Sequence, residues 1–400
     1  MILDIFTELQ RAEHPWDRTR ERALIDDTLA QAQLADELGY GCWWTVEHHG
    51  TGDFSLSSTP EMFNLLVAER TQRIRIGHSG VLAPFAINHP VRVAERAAFL
   101  DVMSGGRLEL GIARSGFGEG DNFQLDRDMN RPQLAELVEV LPRMWAEDRF
   151  EWSSDLLTVP PINIVPKPLQ SPHPPLWQMC VSGESFEMAG RLGVGAIGTT
   201  LLDPIHALKQ LRDTYFRGIE EARATAAPGR VIDGRFGIFT FVHCAASREE
   251  AIAARAGEAV LWYVNNVPTA FKTPRKIMID SFRGTLDAGT ALNAMSMGGE
   301  DEEIWDPDDP VPVIRLLNRQ LLGMPLDPEE VYDVLEPIDG VIVGDPDLCV
   351  EKMRRVAEIG VDRLLCFQQF GALSNDAVRG SIERVAREVM PMVSGGGAST

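Results

Sequence analysis

Three consecutive polar residues, Glu47, His48 and His49, end the apolar run of "GCWWTVEHHG" (41–50). A glutamate and two histidines together can bind a metal, handle a proton, or simply close a strand. Consecutive strand residues face opposite sides, so His48 and His49 converge on one ion only where the chain turns. No H-E-x-x-H or carboxylate-rich partner set follows, which disfavours a metal site. A histidine exchanges protons near neutral pH. Glu47 could fix the tautomer of such a histidine or neutralise an arginine. Two further features suit an anion. Arg114 emerges from the apolar "LGIA", and Arg131 opens a helix in "NRPQLAE". In "VSGES" (181–185), a helix begins with backbone N–H groups that favour phosphate. Ordinary helix capping and surface arginines explain the same residues equally well. "FGALSNDA" (370–377) is a second candidate for the anion site.

These residues need elements to position them. Apolar runs that read as strands are "ILDIF", "GCWWTV", "RIRIGHSGVL", "RLELGIA", "PLWQMCV", "GAIGT", "RFGIFTFVHC" and "VDRLLCFQQ". Segments of helical period separate them, and Gly39 and Gly193 stand where helix C-caps are expected before a strand. Eight strands alternating with helices predict an α/β fold, a (β/α)8 TIM barrel with a long insertion before the last strand. No G-x-G-x-x-G follows an early strand, which weighs against a dinucleotide-binding sheet. One barrel domain over 1–391 is expected, with the Pro-, Gly- and Asp-rich insertion at about 266–344 as a lid or a surface excursion, and a disordered tail at 392–400. Active sites of such barrels lie at the C-terminal ends of the strands. Glu47, His48, His49, Arg114 and Ser182 all fall at that end.

The totals bound the function. The chain has 400 residues, 44% apolar, with a net charge of -21. That charge excludes a phosphate-backbone binder, so no nucleic acid partner is expected. Five cysteines without a C-x-x-C pair fit buried thiols in a reducing compartment. No apolar run is long enough to span a membrane and the N-terminus lacks signal-peptide character, so a cytoplasmic protein without membrane contact is expected.

The combination of "EHH", "HPVR" followed by "LDVMSGGR", "GIARSG" and "REVMP" resembles the bacterial luciferase-like, flavin-dependent monooxygenases. The resemblance implies a barrel that pairs as a homodimer. It implies reduced FMN as co-substrate, supplied by a separate NAD(P)H-dependent flavin reductase, and O2 adding to the flavin as a 4a-hydroperoxide that oxygenates a small apolar substrate. It places the FMN phosphate on Arg114 and Arg131 with Ser182, Ser185 and the neighbouring amides of Val181 and Gly183. Ser79 and Gly80 would lie against the flavin ring, at a place where the family commonly has a cis peptide. His48 would do acid–base work, supported by Glu47 and His49. Phe6, Trp177, Met179 and Phe117 would wall the substrate pocket, with Trp43 and Trp44 as further candidates; no metal is required. Ala113 stands where bacterial luciferase has a cysteine, so light emission is not implied. A deazaflavin-dependent hydride transferase and a non-catalytic flavin-binding protein are the alternatives on the same barrel.

Overall fold

The computed structural model describes residues 1–12, 17–52, 54–200, 202, 205–226, 230–272, 274–283 and 305–393. Eleven strands form among them: β1 (Ile2–Thr7), β2 (Cys42–Thr45), β3 (Arg75–Leu82), β4 (Leu108–Ala113), β5 (Phe150–Ser153), β6 (Thr158–Ile162), β7 (Leu176–Met179), β8 (Gly195–Thr199), β9 (Phe236–Cys244), β10 (Val341–Gly344) and β11 (Arg363–Phe367). All but two are parallel. The order β1-β2-β3-β4-β7-β8-β9-β11 closes through the β1–β11 pairing, making an eight-stranded barrel. The eight apolar runs are those strands, as the (β/α)8 expectation required. Helices lie between them, and Gly39 (φ 88°) and Gly193 (φ 71°) end two of these helices in the left-handed conformation.

Three strands escape the sequence pattern. β5 and β6 form an antiparallel hairpin outside the barrel. β10 lies at the end of the insertion and pairs with Phe241–Cys244 of β9, while β11 pairs with Gly237–Phe241. The long β9 therefore forks between two partners. The insertion begins inside a helix, Ala256–Phe271, rather than after one, and includes the helices Arg275–Phe282, Pro312–Leu321 and Pro328–Leu335. Residues 284–304 lie outside the described residues, as does the expected disordered tail apart from Met392 and Val393, which end the last helix. Among the described residues no helix is long and apolar enough to cross a membrane.

Alternate residues of each strand face the barrel axis and stack in layers. The layer nearest the N-terminal ends is ionic. Asp4 of β1 accepts two hydrogen bonds from Arg363 of β11, at 2.6 and 2.9 Å, and one from the Trp44 indole at 2.9 Å. Glu109 of β4 accepts from Arg75 and from the Trp177 indole, both at 2.6 Å, and lies 3.5 Å from Arg363. Four strands are thereby tied through one floor of paired charges. Two residues further along β1 and β7 stand Phe6 and Met179, which with Ile197 of β8 and Phe239 of β9 make an apolar layer, Phe6 and Phe239 stacked at 4.3 Å. Removing one member of a buried ion pair leaves the other uncompensated. We expect Arg363→Leu to cost about 3–5 kcal/mol of stability, read by chemical denaturation, because Asp4 loses its cation.

Candidate active site

Above the apolar layer, at the C-terminal ends of the strands, lies a cavity of about 400 Å³. It is the position where ligand sites of parallel barrels form. Glu47, His48, Ser79, Gly80, Arg114, Arg131 and Val181 line it, together with Phe6 and Met179. Sequence elements far apart in the chain thus meet in one space.

The three residues of "EHH" have three distinct surroundings. Glu47 is buried, and its Oε1 accepts from Asn88 Nδ2 at 2.8 Å and meets His49 Nε2 at 3.0 Å. Its Oε2 accepts from the Leu82 amide at 3.2 Å, with His78 Nε2 at 3.5 Å. Burial opposes the charge on Glu47, yet His49, His78 and Asn88 outweigh it and hold its pKa well below the usual carboxylate range. His49, the more exposed histidine, has its pKa raised chiefly by the hydrogen bond to Glu47. The pair joins the ends of β2 and β3.

His48 instead meets Glu119, 71 residues further along the chain, with Nδ1 and Oε1 3.1 Å apart. Nε2 is therefore the ring nitrogen left for a ligand. The same Glu119 oxygen accepts from the His49 amide at 3.2 Å, and the other accepts from the Gly116 amide at 2.8 Å. A buried carboxylate with these three donors is fully held, in the short helix Phe117–Asn122 that follows β4. Burial alone lowers the His48 pKa, but Glu119, then Glu8 and Glu47, reverse it and raise the value above 6.5. Phe271, from the first helix of the insertion, packs against the His48 ring at 4.9 Å.

Two arginines line the same cavity. Arg114, at the end of β4, lines the cavity and makes no hydrogen bond or ion pair with a described residue. Burial first, and Arg131 second, lower its pKa. Arg131 pairs with Glu184 at 2.5 Å. Ser182 and Ser185 are buried and turned into their own helix: Ser182 Oγ accepts from the Ser185 amide at 3.2 Å, and Ser185 Oγ accepts from the amides of Val181 (3.1 Å) and Ser182 (2.9 Å). Both hydroxyls act as helix caps, and Ser182, Gly183 and Ser185 are not among the residues lining the cavity. Ser374, in the second candidate anion site, likewise caps the helix Asn375–Arg384 and does not line it.

The Ser79–Gly80 peptide is cis, at the place the resemblance marked. A side chain on Gly80 would come within 2.7 Å of the Gly111 carbonyl carbon in β4, so only glycine fits there. Ser79 Oγ is buried with no hydrogen-bond partner among the described residues.

Three expected wall residues lie elsewhere. Trp177 and Met179 share the inward face of β7, but Trp177 stands one layer lower, where its indole donates to Glu109 and its ring lies under Arg235. It belongs to the floor. Trp44 is likewise bound to Asp4 below the cavity, and Trp43, also fully buried, packs in the main hydrophobic core. The side chain of Phe117 lies outside the described residues. Conversely, Glu119, Asn88, Glu8 and Tyr263 were not singled out by their sequence context. Glu8, just past β1, lines the cavity; its Oε1 accepts from Tyr263 OH at 3.0 Å, and burial raises its pKa to about 7. Its place at a strand end was the one signal pointing to it.

A family model described as luciferase-like monooxygenase matches residues 6–363, and the chain belongs to that family. It is 29% identical over 208 residues to the flavin-dependent trigonelline monooxygenase, oxygenase component, of Acinetobacter baylyi, covering 50% of this chain and 55% of that one. The chain spans about half the length of the curated relatives it matches. The oxygenating constituent of 3,6-diketocamphane monooxygenase from Pseudomonas putida, a type II Baeyer–Villiger monooxygenase solved with FMN, shares the fold with TM-score 0.70 and 17% identity, over 98% of each chain. An F420-dependent secondary alcohol dehydrogenase with an F420–acetone adduct shares it with TM-score 0.66 and 16% identity, again over 98% of each.

The His48–Glu119 pair sets a titration. We expect the His48 ring, followed by NMR, to titrate above the ordinary value of about 6.5. In Glu119→Gln burial dominates, and the value should fall below it. A raised folded-state pKa stabilises fully below the unfolded value, and the gain is lost as pH rises through the folded one. The stability difference between the wild type and Glu119→Gln should therefore shrink above neutral pH.

Proposed function

We propose that the protein is the oxygenase of a two-component system. It would take reduced FMN from a separate flavin reductase and use O2 to oxygenate a small apolar substrate. The observation that carries this reading is the meeting, in one cavity, of the unpaired Arg114 guanidinium and the Glu119-held His48. Family membership and the "oxygenase component" of the trigonelline enzyme support it.

The residues fit a flavin mononucleotide. Arg114 is a half-buried cation that makes no ion pair with a described residue, and the buried Ser79 hydroxyl has a free hydrogen-bonding capacity. Arg114 would hold the phosphate, with Arg131 beside it and exchanging its contact with Glu184. Ser79 and the backbone at Gly80 would bear on the ring. Bound reduced flavin supplies the electrons that activate oxygen. His48, through Nε2, would give or take one proton at a fixed place, and Glu119 would stabilise the imidazolium form. Phe6, Met179, Ile197 and Phe239 would exclude water, which keeps that proton transfer from being short-circuited. Glu47 and His49 would brace the strand ends.

A deazaflavin also carries a phosphate, and the same fold holds F420 in the alcohol dehydrogenase. That protein is the specific reason to keep hydride transfer as the second reading. Affinities for FMN and the deazaflavin separate the two. We expect Arg114→Ala to weaken FMN binding at least about tenfold, as for loss of a charge-assisted contact, while riboflavin, which lacks the phosphate, binds unchanged. Flavin fluorescence quenching measures both. Equal loss for the two flavins would take the phosphate away from Arg114, and tight deazaflavin binding with weak FMN binding would favour hydride transfer.

A further inference from the structure

Glu8 is a buried carboxyl facing a cavity whose neighbouring walls are Phe6, Val46, Tyr263 and Phe271. Nothing in the flavin chemistry above uses it. A carboxyl in such a place resists ionisation unless a cation or several donors compensate it. Glu47 and Glu119 each have at least three donors or histidines within 3.5 Å; Glu8 does not. Its Oε1 accepts from Tyr263 OH at 3.0 Å, and its Oε2 has only the Gln10 amide at 3.4 Å. No arginine or lysine acts on it, and the one cationic group that lowers its pKa is His48. Tyr263 is itself buried, on the helix Ala256–Phe271. One carboxyl oxygen is thus braced, and the other is poorly satisfied, beside the apolar side chains of Phe6, Val46 and Phe271.

We propose that Glu8, braced by Tyr263, is the substrate-anchoring residue of this cavity, and that it hydrogen-bonds the hydroxyl or carbonyl oxygen of a neutral, otherwise apolar substrate. The proposal rests on the oxygenase reading and names the substrate class for it. No bond is made or broken at Glu8; its contact fixes one end of the molecule, and so fixes which carbon is presented across the cavity toward His48 and the Ser79–Gly80 backbone. A neutral carboxylic acid can donate to a carbonyl, and can donate to and accept from a hydroxyl. Burial pushes the Glu8 pKa up to about 7, which keeps the protonated form available. A purely apolar substrate would leave this carboxyl unpaired, and a binding site penalises that. A mere strap between β1 and the insertion would need Tyr263 but would leave ligand preference untouched.

Three ligands of one skeleton decide it: menthol, p-menthane and the cationic menthylamine. Each is titrated calorimetrically into the full chain, with and without bound FMN, in wild type, Glu8→Gln, Glu8→Leu and Tyr263→Phe. FMN affinity is measured beside each titration by fluorescence quenching. Wild type should bind menthol roughly tenfold more tightly than p-menthane, the worth of one buried hydrogen bond. Glu8→Leu should bring the two within about twofold, and Glu8→Gln, which still donates and accepts, should keep the preference. FMN affinity should not change in any variant. The same menthol preference in wild type and Glu8→Leu, tightest binding of menthylamine, or no binding of any of the three would overturn the proposal. Should Glu8→Leu fail to fold, the comparison of Glu8→Gln with Tyr263→Phe still decides, since the first keeps the preference and the second weakens it. Failure of FMN to bind would count against the oxygenase reading instead, and the titrations without FMN would still judge Glu8.

Discussion

Every charge buried inside the barrel must be compensated, and that constraint organises the molecule from floor to mouth. At the floor the compensation is internal: Asp4 and Glu109 are held by Arg363, Arg75 and two indole N–H groups. At the mouth it is divided. Glu47 and Glu119 are met by histidines and backbone amides, whereas Arg114 makes no ion pair with a described residue. Between the two lies the apolar layer of Phe6, Met179, Ile197 and Phe239, which separates the charges of the floor from those lining the cavity. A charge that the fold leaves unmatched, in a cavity, is the physical mark of a ligand.

The two histidines show how environment divides labour between adjacent residues. Both have raised pKa values, but for different reasons. His49 is tied to Glu47, whose other contacts reach Asn88 and the Leu82 amide, so its carboxylate works as a strut between β2 and β3. His48 is tied to Glu119, which is anchored after β4, and faces the cavity. The two adjacent rings thus meet different carboxylates. Burial would discharge His48 on its own; Glu119 keeps the charged form accessible. That balance is what a group needs to exchange a proton near neutral pH.

Much of this could be read from the chain. The eight barrel strands were visible because parallel strands buried on both faces read as unbroken apolar runs, and helix C-caps such as Gly39 and Gly193 marked their approach. Strand ends then located Glu47, His48, His49 and Arg114 in one region. What was not legible depends on contacts across the barrel. Glu119 sits in a six-residue, Gly-rich helix with no pattern of its own, and its partner lies 71 residues earlier. Tyr263 meets Glu8 across 255 residues. Trp177 illustrates the opposite error: its inward direction follows from alternation with Met179, but its depth in the barrel follows from register against Gly111 and Gly195. Ser182 and Ser185 have the residue types of an anion site and spend their hydroxyls on capping. β10, four residues at the end of a Pro- and Asp-rich stretch, carries too little pattern to stand out.

The central claim is that this cavity holds reduced FMN and controls its encounter with oxygen through a dry wall and one held proton. Rapid mixing of the protein with reduced FMN under anaerobic conditions, followed by oxygen and absorbance at the flavin wavelengths, tests it most directly. The account predicts flavin reoxidation slower than in free solution, with hydrogen peroxide released late, and faster reoxidation when Glu119→Gln or His48→Ala leaves the proton unheld. Reoxidation at the free-flavin rate, with peroxide appearing at once and no difference between wild type and those variants, would contradict it.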